Sequence, residues 1–389
     1  MQLDALTSLP ADGTAGTLAG RIWRPDVNGP SVVALRGDDV FDVTATFATL
    51  RDLCEEADPA AALQQAAGER LGSIAALLAN TPPDSRDPQK PWLLAPADLQ
   101  VIKAAGVTFA ISMLERVIEE KARGNPAAAA AIRADIVSLI GEDLSKLKPG
   151  SPQAMALKQV LIKQGVWSQY LEVGIGPDAE IFTKAPPMAA VGTGADAGLH
   201  PASSWNNPEP EVVLAVNSRG VIVGATLGND VNLRDIEGRS ALLLGKAKDN
   251  NASTAIGPWL RFFDASFSLD DLRQATLTLK VAGDDGFILH GLSSMAQISR
   301  DPLDLVAQMM GPNHQYPDGA MLFLGTLFAP KQDRDTPGGG FTHKVGDIVS
   351  ISAPELGTLV NRMKRSNDCP PWTFGSSHLL RNLAQRGLL

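Results

Sequence analysis

From Trp167 onward, short β-prone runs follow one another with almost no helix between them. They read Val173–Ile175, Ile181–Thr183, Glu211–Val216, Val221–Leu227, Ala275–Val281, Phe287–Leu289, Ala320–Phe328 and Asp347–Ile351, punctuated by Gly, Pro and Asn/Asp. Helical patterning interrupts them only around Asp235–Leu244 and Asp301–Met309. A parallel α/β sheet alternates strand with helix, so this rhythm predicts a β-rich α+β domain instead.

The N-terminal part differs. Gly20–Trp23 and Ser31–Leu35 are short apolar stretches among turn residues, and a helical stretch over Val43–Asn80 breaks near Asp58-Pro59. Thr81–Pro88, polar and rich in proline, reads as a linker or as a loop crossing one surface. Leu93 to Lys163 reads as mostly helical, with Ile111, Leu114, Val117 and Ile118 at helical spacing. The expected division is therefore residues 1–92 and 93–389, and a chain of 389 residues is long enough for two domains.

Charge and cysteine content exclude several functions. With 34 Lys and Arg against 43 Asp and Glu, the net charge of −9 argues against a nucleic-acid partner. Cys54 and Cys369 cannot form a disulfide framework, which suits a reducing compartment. No run approaches the roughly 18 apolar residues of a membrane span, and MQLDALTSLP lacks a signal peptide's basic and apolar regions. The expectation is a cytoplasmic protein without a membrane partner. Its five histidines include no helically spaced pair, so any metal site should be made of oxygens, selecting Mg, Mn or Ca over Zn.

Two nucleotide-loop look-alikes fail. Gly192-Thr193-Gly194-Ala195-Asp196-Ala197-Gly198 has one residue too many in its last gap, and Gly245-Lys246 lacks the remainder of a P-loop. Glu209 and Glu211 are more telling. They alternate just before an apolar strand, so both carboxylates share a face, and like charges that close repel unless a cation lies between them. A turn at Asn217–Gly220 and a second strand, Val221–Leu227, would return Asp230 to their side. Three carboxylates with room for water or substrate oxygens describe a Mg²⁺-type site; a solvated strand end is the alternative.

Glu209-x-Glu211, Gly228-Asn229-Asp230-Val231-x-x-Arg234-Asp235, Lys248 before Gly257-Pro258-Trp259, and Gly325-Thr326 after an apolar strand occur in that order. Together they resemble the fumarylacetoacetate hydrolase superfamily over roughly residues 98–389. The resemblance implies a mixed β-sandwich roll preceded by a smaller N-terminal α/β domain. It implies Mg²⁺ or Mn²⁺ on Glu209, Glu211 and Asp230, with Lys248 in the substrate site and Thr326 contacting the substrate's carboxylate or keto oxygen. Asn229 and Lys184 are further substrate-contact candidates, and a homodimer or homotetramer is implied.

One departure shapes the expected chemistry. Hydrolases of the family place a His and, three residues on, a Glu that activate water; here those positions hold Ser112 and Glu115. Without the imidazole, C–C hydrolysis is hard to assign, whereas Glu115 is expected still to serve for proton transfer, and Ser112 is a substrate-contact candidate at the His position. Ala104–Gly124, Trp167–Lys184, Asn206–Gly257 and His314–Lys344 resemble a dehydratase branch of the family. That resemblance implies Mg-dependent conversion of a 2-keto-3-deoxy-pentonate into 2,5-dioxopentanoate, in non-phosphorylating pentose degradation. Glu115 and Lys248 would be the acid–base pair. The alternatives are an acylpyruvate-type C–C hydrolase, a keto-acid decarboxylase or a non-catalytic sugar-acid binder.

Overall fold

The computed structural model describes residues 1–109, 113, 117–118, 120–123, 147–163, 165, 167–326, 328, 330 and 332–389. Its strands are β1 (Leu18–Arg24), β2 (Gly29–Arg36), β3 (Asp39–Asp42), β4 (Glu69–Ser73), β5 (Trp92–Leu94), β6 (Val101–Gly106), β7 (Glu180–Ala185) and β8 (Asp196–Leu199). There follow β9 (Pro210–Val216), β10 (Ile222–Asp230), β11 (Thr254–Phe262), β12 (Thr276–Ala282), β13 (Ile288–Ser294), β14 (Ala320–Phe323), β15 (Ile348–Ala353) and β16 (Gly357–Arg365).

Two mixed sheets result. The larger runs β4-β3-β2-β1-β11-β10-β9-β14-β6-β7, with β5 alongside β1; the smaller runs β13-β12-β15-β16-β8. Within them β14 and β6 are parallel, as are β16 and β8. The fold is α+β, with the β-rich sandwich expected from the sequence. The larger sheet is continuous across residue 92, because Leu18 and Ala19 of β1 pair with Arg261 and Leu260 of β11.

The sandwich follows from side-chain alternation. Val212, Leu214 and Val216 of β9 point into a core shared with Leu277, Leu279, Val281, Val349 and Ile351 of the smaller sheet. Val213 and Ala215 point the other way, onto Phe47, Leu50 and Leu53 beneath the N-terminal strands. A strand buried on both faces reads as a continuous apolar run, as Val212–Val216 does.

Three local expectations are corrected. Val173–Ile175 is the end of a helix, Gln169–Ile175, capped by the Ser168 hydroxyl accepting from Leu171 N–H. Val101–Gly106, expected to be helical, is β6, held between β14 and β7. Glu69–Ser73, inside another expected helical stretch, is β4. Thr81–Pro88 is an ordered surface loop: Asn80 Nδ2 donates to the carbonyls of Asp87, Lys90 and Pro91, and Asp84 pairs with Arg362.

Candidate metal centre

The β9–β10 hairpin makes the site. Its register sets Gly228 opposite Glu211 and Asn229 opposite Pro210, and the Asp230 N–H donates to the Glu209 carbonyl at 3.0 Å. Glu209, Glu211 and Asp230 therefore converge, with one carboxylate oxygen from each within 4.8 Å of the others, all buried. Among the described residues this is the one cluster that could hold a metal ion.

The surrounding elements trim and balance this charge. The Gly325 N–H, just past β14, donates to Glu211 Oε2 at 2.7 Å. Gly325 has φ of +97°, and a Cβ there would meet Thr108 Oγ1 at 2.0 Å, so only glycine fits this approach. The helix Leu244–Lys248 ends by placing Lys248 Nζ 2.5 Å from Glu209 Oε2 and 3.1 Å from Asp230 Oδ2. Lys184, at the end of β7 and fully buried, has Nζ 3.2 Å from Asp230 Oδ1. Its amine also donates to the carbonyls of Lys248 and Ser253. These bonds make Lys184 a counter-charge behind the triad. Burial lowers its pKa, while the Asp230 carboxylate opposes that shift. Glu211 goes the other way: burial first, then the Asp230 and Glu209 charges, push its pKa well above the ordinary carboxylate range.

The cavity between these groups measures about 20 Å³, the size of a single ion or water. It is lined by Glu209, Glu211, Asp230, Lys248 and Thr326, and also by Glu180, Phe182 and Glu237. Two features fit a divalent cation. The three carboxylates converge on one ion-sized space, with Lys248 and Lys184 as their only cationic neighbours there among the described residues. The donors are all carboxylate oxygens, the set preferred by hard cations.

Of the residues singled out in the sequence, the fold brings together Glu209, Glu211, Asp230, Asn229, Lys184, Lys248 and Thr326. Thr326 Oγ1 donates to the Phe328 carbonyl at 2.9 Å. Ser112 and Glu115 lie outside the described residues. Sequence reasoning missed Glu180 and Glu237. Glu180 faces Gly106 across the β6–β7 pair, where a Cβ would fall 1.9 Å from Glu180 Oε2. Gly106, a glycine within the stretch expected to be helical, was the one available signal.

Residues 184–364 match the family described as fumarylacetoacetate (FAA) hydrolase C-terminal. The match spans 181 of the chain's 389 residues, and that segment is similar to the fumarylacetoacetate hydrolase family. The matched segment runs from Lys184 to Lys364 and contains the whole triad and Lys248. Among curated relatives, a 2-dehydro-3-deoxy-D-arabinonate dehydratase of Saccharolobus solfataricus is 31% identical over 189 residues, 48% of this chain and 59% of that protein. A probable 2-keto-3-deoxyxylonate dehydratase of Haloferax volcanii is 31% identical over 192 residues, 49% of this chain and 62% of that protein. These alignments thus span about three fifths of the relatives' own length. A solved 2-keto-3-deoxy-D-arabinonate dehydratase, complexed with magnesium and 2,5-dioxopentanoate, superposes with a TM-score of 0.61 at 21% identity. It covers 90% of this chain and 99% of its own, which establishes the shared fold.

Proposed function

We propose that this chain is a Mg²⁺-dependent dehydratase of 2-keto-3-deoxy-pentonates, releasing water and 2,5-dioxopentanoate. The observation carrying this reading is the buried triad Glu209, Glu211 and Asp230 around an ion-sized cavity, with proton-carrying side chains on its wall. It is supported by dehydratase relatives and by the fold shared with a protein holding magnesium and 2,5-dioxopentanoate.

When bound, Mg²⁺ supplies Lewis acidity to a 2-keto carboxylate, making the adjacent C3–H more acidic. The chain's side chains then divide the proton work. Glu180, on the cavity wall and outside the triad, takes the C3 proton as general base. Lys248 gives a proton to the departing C4 hydroxyl, so that it leaves as water. Transfer of a proton from C5 to C3 leaves an enol, and its ketonisation gives the C5 aldehyde. Overall the substrate loses one water and nothing is oxidised or reduced. Thr326 and Asn229 orient the acid, and Phe182 on the wall limits water. Glu115 remains the other candidate for the base.

Incubation with Mg²⁺ and 2-keto-3-deoxy-pentonate tests the reading. A semialdehyde that a dehydrogenase oxidises to 2-oxoglutarate supports it. Pyruvate would indicate the hydrolase alternative, carbon dioxide a decarboxylase, and binding without turnover a sugar-acid binder.

A further inference from the structure

A second cavity, of about 280 Å³, opens between β1, the loop after β7 and the C-terminal segment 370–374. It shares no lining residue with the carboxylate site. Its walls are aromatic. Trp23 meets Phe374 edge-on at 5.1 Å and stacks on Trp92 at 5.9 Å, while Trp372 lies on the rim, 47% exposed. The Arg86 guanidinium sits 4.7 Å above Trp92.

Arg21 is the unusual wall residue. It is only 4% exposed, at the middle of β1. Nη1 donates to the carbonyls of Ala95 and Ala97, and Nε lies 3.6 Å from an Asp98 oxygen. Nη2 has only the Met188 thioether, at 3.6 Å, and a thioether is a weak acceptor. Met188 itself is held at φ +69°, a backbone state that non-glycine residues rarely adopt. The Asp98 carboxylate is shared among the N–H groups of Leu50, Arg51 and Leu99. Burial lowers the pKa of Arg21 and of Arg86 by more than the attraction to Asp98 and Asp196 raises it. Asp196, the one carboxylate on this lining among the described residues, is held by Arg362 at 2.7 Å and Lys364 at 3.0 Å. The cavity thus combines flat apolar walls with a buried Arg21, whose Nη2 faces only a thioether while Nε lies near Asp98, and a half-buried Arg86.

We propose that this cavity binds a small aromatic carboxylate, its ring among Trp23, Trp372 and Phe374 and its charge toward Arg21. The anion supplies the acceptor that Arg21 Nη2 lacks, and the rings supply apolar area and stacking. The pocket is of a size for a one- or two-ring acid.

Calorimetric titration of the full chain with 2-naphthoate, with Mg²⁺ and again in EDTA, tests this. The expected result is one equivalent bound at submillimolar Kd under both conditions. Neutral 2-naphthamide is expected to bind about tenfold more weakly, and Trp372→Ala to weaken naphthoate by about tenfold. Arg21→Gln is expected to erase the preference for acid over amide. Trp372 and the amide comparison keep the test decisive should Arg21→Gln fail to fold. No binding at millimolar ligand, equal affinity for the amide, no effect of Trp372→Ala, or loss of binding in EDTA would each overturn the proposal. The last result would place the acid at the carboxylate triad.

Discussion

Two buried ammonium groups hold three buried carboxylates together. Lys248 bridges Glu209 and Asp230, and Lys184 stands against the other Asp230 oxygen. Removing one partner of a buried pair leaves an uncompensated charge, so Lys184→Met should destabilise the fold by about 3–5 kcal/mol in urea unfolding. A loss below about 1 kcal/mol would show that Lys184 balances nothing. The roles assigned to the carboxylates separate in a second experiment. Glu211→Gln should abolish stoichiometric Mn²⁺ binding, measured by electron paramagnetic resonance. Glu180→Gln should keep the ion and lower kcat by about 10²–10⁴-fold. Normal turnover in Glu180→Gln together with loss in Glu115→Gln would move the base to Glu115. The triad was legible because its three members lie on one hairpin, where period-2 geometry and antiparallel return determine the faces. Glu180 was not, because it reaches the site from β7 through the pairing of Gly106 with Glu180, and no local spacing encodes that contact.

The elements that escaped sequence reading are those whose state is decided by distant partners. The stretch Val101–Gly106 contains Lys103, Ala104 and Ala105, residues with little β preference. It is a strand because β14 and β7 flank it on both sides. Conversely Val173 and Ile175 are β-branched yet helical, because Tyr170, Leu171 and Ile175 bury one face in a cluster with Met113 and Val117. The start of β15 carries its own electrostatic anchor. Arg334 donates to both Asp347 oxygens at 2.7 Å, and His343 Nδ1 lies 3.0 Å from Asp347 Oδ2. Burial alone would push the Asp347 carboxyl up, but these hydrogen bonds outweigh it and hold the pKa at about 2. A carboxyl held below its unfolded value of 3.8 stabilises the fold fully above that pH, and the contribution is lost as pH falls toward 2. Asp347→Asn should therefore cost about 3–5 kcal/mol at neutral pH and flatten the acid limb of the stability profile between about pH 4 and 2. An unchanged acid limb would contradict the anchor.

At the scale of the molecule, one sheet carries strands from residue 18 to residue 323, and the triad sits near its middle on β9 and β10. A ligand that binds only the folded chain stabilises it by mass action, so Mg²⁺ at a hundred times its Kd should add about 2.7 kcal/mol relative to EDTA. That increment should vanish in Glu211→Gln; its persistence would place the ion elsewhere. Among the described residues no helix is long and apolar enough to cross a membrane. A β-rich α+β domain was readable from the succession of β-prone runs and the sandwich from the family resemblance, whereas the joining of β1 to β11 was not, since it pairs segments about 240 residues apart. The most direct measurement is carbon-13 NMR of uniformly labelled 2-keto-3-deoxy-pentonate turned over by the wild-type chain and by Glu211→Gln, with Mg²⁺ present. The account predicts an intact five-carbon spin system ending in the C5 aldehyde or its hydrate, formed by the wild type alone. A three-carbon pyruvate spin system, or equal turnover by Glu211→Gln, would contradict it.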